Sequence, residues 1–159
     1  MNQSNHEILL VEDDSADAEL TTRTLQKQRA AGNIVIARDG AEALDYLFCR
    51  GEFSKRDVNH IPQLVLLDLK LPRVSGHDVL KAIKADHRTC CIPVIVMTSS
   101  NHEDDLLECY RGGANSYVTK PVNLSLFEET VKQVGKYWLG FNLPPPDSAF
   151  ESGNQVKRQ

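Results

Sequence analysis

Residues able to do chemistry stand at the ends of four apolar stretches. Glu12 and Asp13 follow LLV, Asp68 follows LVLL, Thr98 follows VIVM, and Lys120 follows SYVT. Three carboxylates brought together repel one another, and a hard cation with oxygen ligands is the usual remedy. Mg²⁺ suits such a set, because it commonly keeps several waters and takes one or two carboxylates together with a phosphate. An aspartate beside that ion can attack phosphorus and carry an acyl phosphate. An ammonium such as Lys120 would neutralise the transferring oxygens, and a hydroxyl such as Thr98 would donate to them. Taken singly, Asp68 reads as a turn residue and the Glu12–Asp13 pair as a helix cap and its neighbour. Taken together, the five residues point to phosphoryl transfer onto Asp68.

For these groups to meet, the apolar stretches must be neighbouring strands whose carboxyl ends lie side by side. Residues 8–11, 34–37, 64–67 and 92–97 form nearly continuous apolar runs, the pattern of strands buried on both faces, and 116–119 is a weaker fifth. Stretches of helical length separate them, so the order is β-α five times and the fold class is α/β, a doubly wound five-stranded parallel sheet. Ligands of such sheets bind beyond the carboxyl ends of the strands.

Helix signals agree with that order. Asp14 or Ser15 caps a first helix whose opening turn contains Asp17 and Glu19, and Gly32 is expected to stop it. Asp39 and Gly40 open a second helix through Cys49, Ser75 and Gly76 a third through Ala85, and Asn101 a fourth ending at Gly112 and Gly113. Pro121 and Asn123 introduce the last, in which Phe127, Val131, Val134 and Trp138 form one apolar stripe facing the sheet.

The whole-chain balance bounds the partners. A length of 159 residues, 41% hydrophobic and 25% charged, fits one globular domain. No apolar run reaches the length of a membrane span and the first residues lack a signal pattern, so a cytoplasmic protein without membrane contact is expected. With 18 basic and 22 acidic residues the net charge is −4, which gives no electrostatic reason to expect nucleic acid as a partner. Cys49, Cys90, Cys91 and Cys109 have neither a CxxC pair nor a zinc-type His spacing and are read as free thiols. The polar stretch 51–60 lies outside the repeat and is expected on the surface, in contact with a partner. The segment 144–159, which begins with three prolines, is expected to be a flexible tail.

The segments LLVEDD, LVLLDLKLP, PVIVMTSS and SYVTKP, together with Gly76, occur in that order, with Thr98 30 residues and Lys120 52 residues beyond Asp68. In these the chain resembles the receiver domains of two-component response regulators, over residues 8–138. The resemblance implies a (βα)5 flavodoxin-like receiver fold over 1–143, with Asp68 as phosphoacceptor for a sensor histidine kinase. It implies that Glu12, Asp13, Asp68 and the backbone carbonyl of Lys70 hold Mg²⁺, that Thr98 and Lys120 contact the phosphoryl group, and that Tyr117 is the switch aromatic. Ser99, being small, leaves room for phosphate access. Glu12 stands where many members have Asp, a longer arm expected to reach the metal through water. Lys70 is bulky and cationic beside the phosphate.

No output domain is expected after Trp138, so the chain is read as a stand-alone response regulator that signals through protein contacts and is not a multiple-turnover enzyme. LLVEDDSADAEL, the long stretch before the third strand and YWLGFNLPPP are similar to the small regulators of cyanobacterial-type phytochrome kinases. Regulators of that group often form a homodimer through helix 4, strand 5 and helix 5, a face that Tyr137, Leu139, Phe141 and Leu143 would extend or, alternatively, fold away from. Two other readings stay open: a receiver-like interaction domain that takes no phosphate, and a metal-dependent phosphatase with an Asp nucleophile. The second would offer another Asp just beyond the first, where Lys70 stands. A flavin carrier is opposed by the acidic first turn, which would repel a phosphate.

Overall fold

The computed structural model describes residues 6–28 and 32–151. Five strands, β1 (Glu7–Val11), β2 (Asn33–Ala37), β3 (Leu64–Leu67), β4 (Val94–Thr98) and β5 (Ser116–Thr119), form one parallel sheet in the order β2-β1-β3-β4-β5. They alternate with α1 (Ser15–Gln26), α2 (Gly40–Leu47), α3 (Gly76–Ala85), α4 (Glu103–Arg111) and α5 (Leu124–Gly135). The helices divide between the two faces. Leu9, Val11, Val65, Leu67 and Val96 point into a core shared with α2, α3 and α4, while Ile8, Leu10, Leu66, Ile95 and Met97 point into a core shared with α1 and α5. Alternation of side chains along each strand sends successive residues to opposite cores, so a strand buried on both faces must be apolar at every position.

Local chemistry sets the helix starts. Asp14, Asp39, Ser75 and Asn123 are N-caps whose side chains accept from the backbone N–H three residues on, at 2.9, 2.8, 3.2 and 3.0 Å. In α4, Glu103, Asp104 and Asp105 place negative charge on the first turn instead. The helix expected to run toward Gly32 ends at Gln26. Gly32 serves a close approach: a Cβ there would stand 1.9 Å from the carbonyl oxygen of His6. The stripe on α5 packs as expected, with Phe127, Val131 and Val134 buried and Trp138 against the same core from a π-helical turn, Lys136–Phe141.

The strand before α1 begins one residue earlier than its apolar run, at a buried carboxylate. Tyr46 donates its hydroxyl to Glu7, His60 Nε2 lies 3.0 Å from the other carboxylate oxygen, and the Arg56 guanidinium is 3.7 Å away. Arg56 also donates to the carbonyls of Tyr46 and His60 and stacks over the Tyr46 ring at 3.9 Å. This network pins the 51–60 stretch to the amino-terminal end of the sheet, with Val58 exposed. Beyond residue 144, Asp147–Phe150 makes a single 3-10 turn, and Phe150 packs against the core on the α2–α4 face. Of the late apolar residues, Leu139 packs on the α1–α5 core, whereas Tyr137, Phe141 and Leu143 are exposed.

Candidate functional site

Strand register brings the carboxyl ends level. Val11 pairs with Leu67, so Glu12 and Asp68 follow side by side, and Thr98 pairs with Thr119, which sets Lys120 one step beyond. The backbone fixes these positions further: Asp68 N–H donates to Val11 O at 3.1 Å, and Lys120 N–H donates to Thr98 O at 2.8 Å. Glu12 and Asp68 are buried at 3% and 8% exposure, and Asp13 is exposed. One carboxylate oxygen from each of the three lies within 4.8 Å of the others, a separation that a single ion can span.

Lys120 enters this cluster as its cation. Its ammonium donates to Glu12, to Asp68 Oδ2 at 3.0 Å and to Asp17 Oδ2 at 3.1 Å. Burial works to lower the Lys120 pKa, but the hydrogen bond to Glu12 and the charges of Asp68 and Glu12 outweigh it, and the value is raised. Glu12 goes the other way from a usual ion-paired acid. Desolvation pushes its carboxyl up to about 7, against the pull of the Lys120 hydrogen bond and charge, with Asp68 adding repulsion. One ammonium among four carboxylates leaves a deficit of positive charge, and a divalent cation fits that deficit and the all-oxygen donor set.

Of the remaining predicted residues, Lys70 meets this group through its backbone, whereas the side chains of Thr98 and Tyr117 meet at Ser100. Thr98 is fully buried, and its hydroxyl accepts from Ser100 N–H at 3.3 Å. Lys70 is exposed and its N–H donates to Asp68 Oδ1 at 3.3 Å. Tyr117 is half-buried and donates its hydroxyl to Ser100 O at 3.0 Å. Asp17 was expected only to favour the α1 dipole, yet it is a partner of Lys120. Asp13 precedes the Asp14 cap of α1 (Ser15–Gln26), so no spacing within the helix linked Asp17 to the cluster, and the contact depends on how the first turn of α1 lies over the strand ends.

The family model described as the response regulator receiver domain matches residues 8–132. This chain belongs to the response regulator receiver family. Among curated relatives, it is 43% identical to the probable methanogenesis regulatory protein FilR2 of Methanothrix harundinacea, covering 87% of this chain and 86% of that one. It is 38% identical to the response regulator Rcp1 of Synechocystis sp., covering 83% of this chain and 88% of that one. The phosphorylated cyanobacterial phytochrome response regulator RcpA superposes with a TM-score of 0.84 at 38% identity, covering 90% of this chain and all of that one. The receiver fold expected from the sequence is thus the fold observed. The relationship to phytochrome response regulators holds over most of the chain, and Rcp1 has also been solved in a Mn²⁺-bound form. Among the described residues, no helix is long and apolar enough to cross a membrane.

Proposed function

We propose that this receiver takes a phosphoryl group on Asp68 from the phosphohistidine of a sensor kinase. The observation that carries the proposal is the buried Asp68 carboxylate, 3.0 Å from the Lys120 ammonium and grouped with Glu12 and Asp13 within the span of one ion. In the transfer, an Asp68 oxygen forms a bond to phosphorus as the phosphorus–nitrogen bond of the donor breaks, and the departing imidazole keeps its electron pair. Glu12, Asp13, Asp68 and the backbone carbonyl of Lys70 would hold Mg²⁺. That ion supplies charge neutralisation for the phosphoryl oxygens. Lys120 would turn one of its donors from a carboxylate to a phosphoryl oxygen, and Thr98 would donate its hydroxyl once it moves toward Asp68. Because Ser100 both donates to Thr98 and accepts from Tyr117, movement of Thr98 bears directly on the Tyr117 contact, which suits Tyr117 to the switch role. Positioning and charge stabilisation suffice for this chemistry without a separate base.

The kinase class suggested by RcpA and Rcp1, each 38% identical, is a phytochrome, whereas FilR2, at 43% identity, ties a related sequence to another process. Signalling would then pass through protein contacts, including a symmetric homodimer on the α4–β5–α5 face, where Leu106, Leu107 and Tyr110 of α4 and Tyr137, Phe141 and Leu143 beyond α5 are exposed.

The test is intact mass after incubation with a small acyl-phosphate donor and Mg²⁺, beside Asp68→Asn and metal-free samples. One added phosphoryl group, absent from both controls, is expected. No addition, with beryllofluoride also failing to bind, would overturn the proposal. Light scattering before and after phosphorylation tests the dimer, and a monomeric mass in both states would rule it out.

A further inference from the structure

We propose that His77, Glu108 and Cys109 form a second metal site, between α3 and α4, for a borderline-soft divalent ion of the zinc type. Cys109 Sγ and Glu108 Oε2 each stand 3.7 Å from His77 Nδ1. Ligand atoms held about 2.0 to 2.3 Å from a tetrahedral ion are separated by roughly 3.3 to 3.6 Å, so each of these two separations from His77 needs only a small contraction, while His77 and Glu108 also lie, with Asp105, within the 4.8 Å span of one ion. The other ring nitrogen completes the arrangement. Nε2 faces Asp105 Oδ1 at 3.0 Å, the carboxylate–histidine pairing that places the ring proton on one nitrogen and leaves the lone pair of the other for a metal. Asp105 is itself held by the hydroxyl of Ser100.

The donor set of one nitrogen, one oxygen and one sulfur separates this site from the all-oxygen cluster around Asp68. A thiolate and an imidazole select zinc-like ions, whereas Mg²⁺ takes oxygen ligands. Glu108, 48% exposed at its side chain, faces solvent and leaves a fourth position for water, and its second oxygen pairs with Lys81 at 3.7 Å. Cys109 is fully buried, and burial pushes its thiol up to about 11, so the ion must displace the thiol proton: the metal–sulfur bond forms as the sulfur–hydrogen bond breaks, and one proton is released per ion. The site also touches the switch. Asp105 grips Ser100, whose carbonyl accepts from Tyr117.

The experiment uses Co²⁺ as probe, titrated into the full chain carrying Cys90→Ser and Cys91→Ser, with excess Mg²⁺ occupying the acidic cluster. The expected result is one equivalent bound with a thiolate-to-Co²⁺ charge-transfer band, displaced by Zn²⁺. Cys109→Ser should lose the band. His77→Gln and Glu108→Gln, whose side chains are partly exposed, should each weaken binding about tenfold or more, and they carry the test if the buried Cys109 variant fails to fold. A titration without the band, or a band undiminished in His77→Gln, would overturn the proposal.

Discussion

A Cβ atom placed on Gly76 would stand 2.2 Å from the carbonyl oxygen of Asp68 and 2.5 Å from the Cα of Leu69. The first turn of α3 therefore closes directly onto the backbone that carries Asp68, and Gly76 N–H donates to Leu69 O at 3.0 Å. Any side chain would push that backbone away. Gly76→Ala is expected to cost about 1–3 kcal/mol through overpacking and to slow modification of Asp68 by an acyl-phosphate donor. Urea denaturation and timed intact-mass measurements check both, and a wild-type rate would show that the Asp68 backbone had not moved.

The Glu7 network lies at the opposite end of the sheet, and its loss should leave the Asp68 chemistry alone. Arg56→Met removes donors from the Tyr46 and His60 carbonyls and the cation beside a buried carboxylate. A loss of about 3 kcal/mol is expected, with faster amide exchange in residues 51–60 and an unchanged phosphorylation rate. Protected amides in that stretch after the substitution would mean that apolar packing, through Phe53 and Ile61, is enough to hold it.

Asp86 and Arg88 form a two-bonded pair, Nε to Oδ1 at 3.0 Å and Nη2 to Oδ2 at 2.7 Å. The Arg88 hydrogen bond, helped by its backbone N–H and charge, holds the Asp86 carboxyl at about 2 despite some desolvation. A depressed folded-state value means that the pair's stabilisation is present above the ordinary carboxylate pKa and is lost as pH falls toward about 2. Arg88→Met, which keeps the backbone N–H donor but removes the guanidinium, should raise the carboxyl toward its ordinary range and make the protein less sensitive to acid. Carbon-detected NMR titration of Asp86 checks this, and an ordinary value in the wild type would refute it.

The sequence made β3 and α3 readable to the residue, because a continuous apolar run and a serine cap mark their ends by local chemistry alone. β1 was read one residue short, since only the fold brings Tyr46, Arg56 and His60 to Glu7 and makes a buried carboxylate tolerable. β4 begins at Val94, after Pro93, because proline has no N–H to give the ladder. At the site, the meeting of Glu12, Asp13, Asp68 and Lys120 was legible because strand ends and motif spacing are linear features. Asp17 was not, since its role depends on the direction in which α1 leaves the sheet. The same applies to His77, Glu108 and Cys109, which come from two helices and have no metal-ligand spacing along the chain.

Glu12 links proton and metal at one carboxylate. Its folded-state pKa is raised by burial from 4.5 to about 7, so its contribution to stability is full below the lower value and is lost as pH rises through the higher one. In chelator, this group therefore makes the fold less stable at pH about 8 than at about 5.5. A divalent cation held by Glu12, Asp13 and Asp68 favours the ionised form, so Mg²⁺ should stabilise the protein more at the higher pH. Glu12→Gln should remove this contribution to the metal-free slope, because the amide does not titrate, and should weaken the Mg²⁺ effect. Urea denaturation at three pH values, with chelator and with Mg²⁺, checks all of these outcomes. An unchanged metal-free slope in Glu12→Gln would mean that the buried carboxyl is already compensated by Lys120 alone.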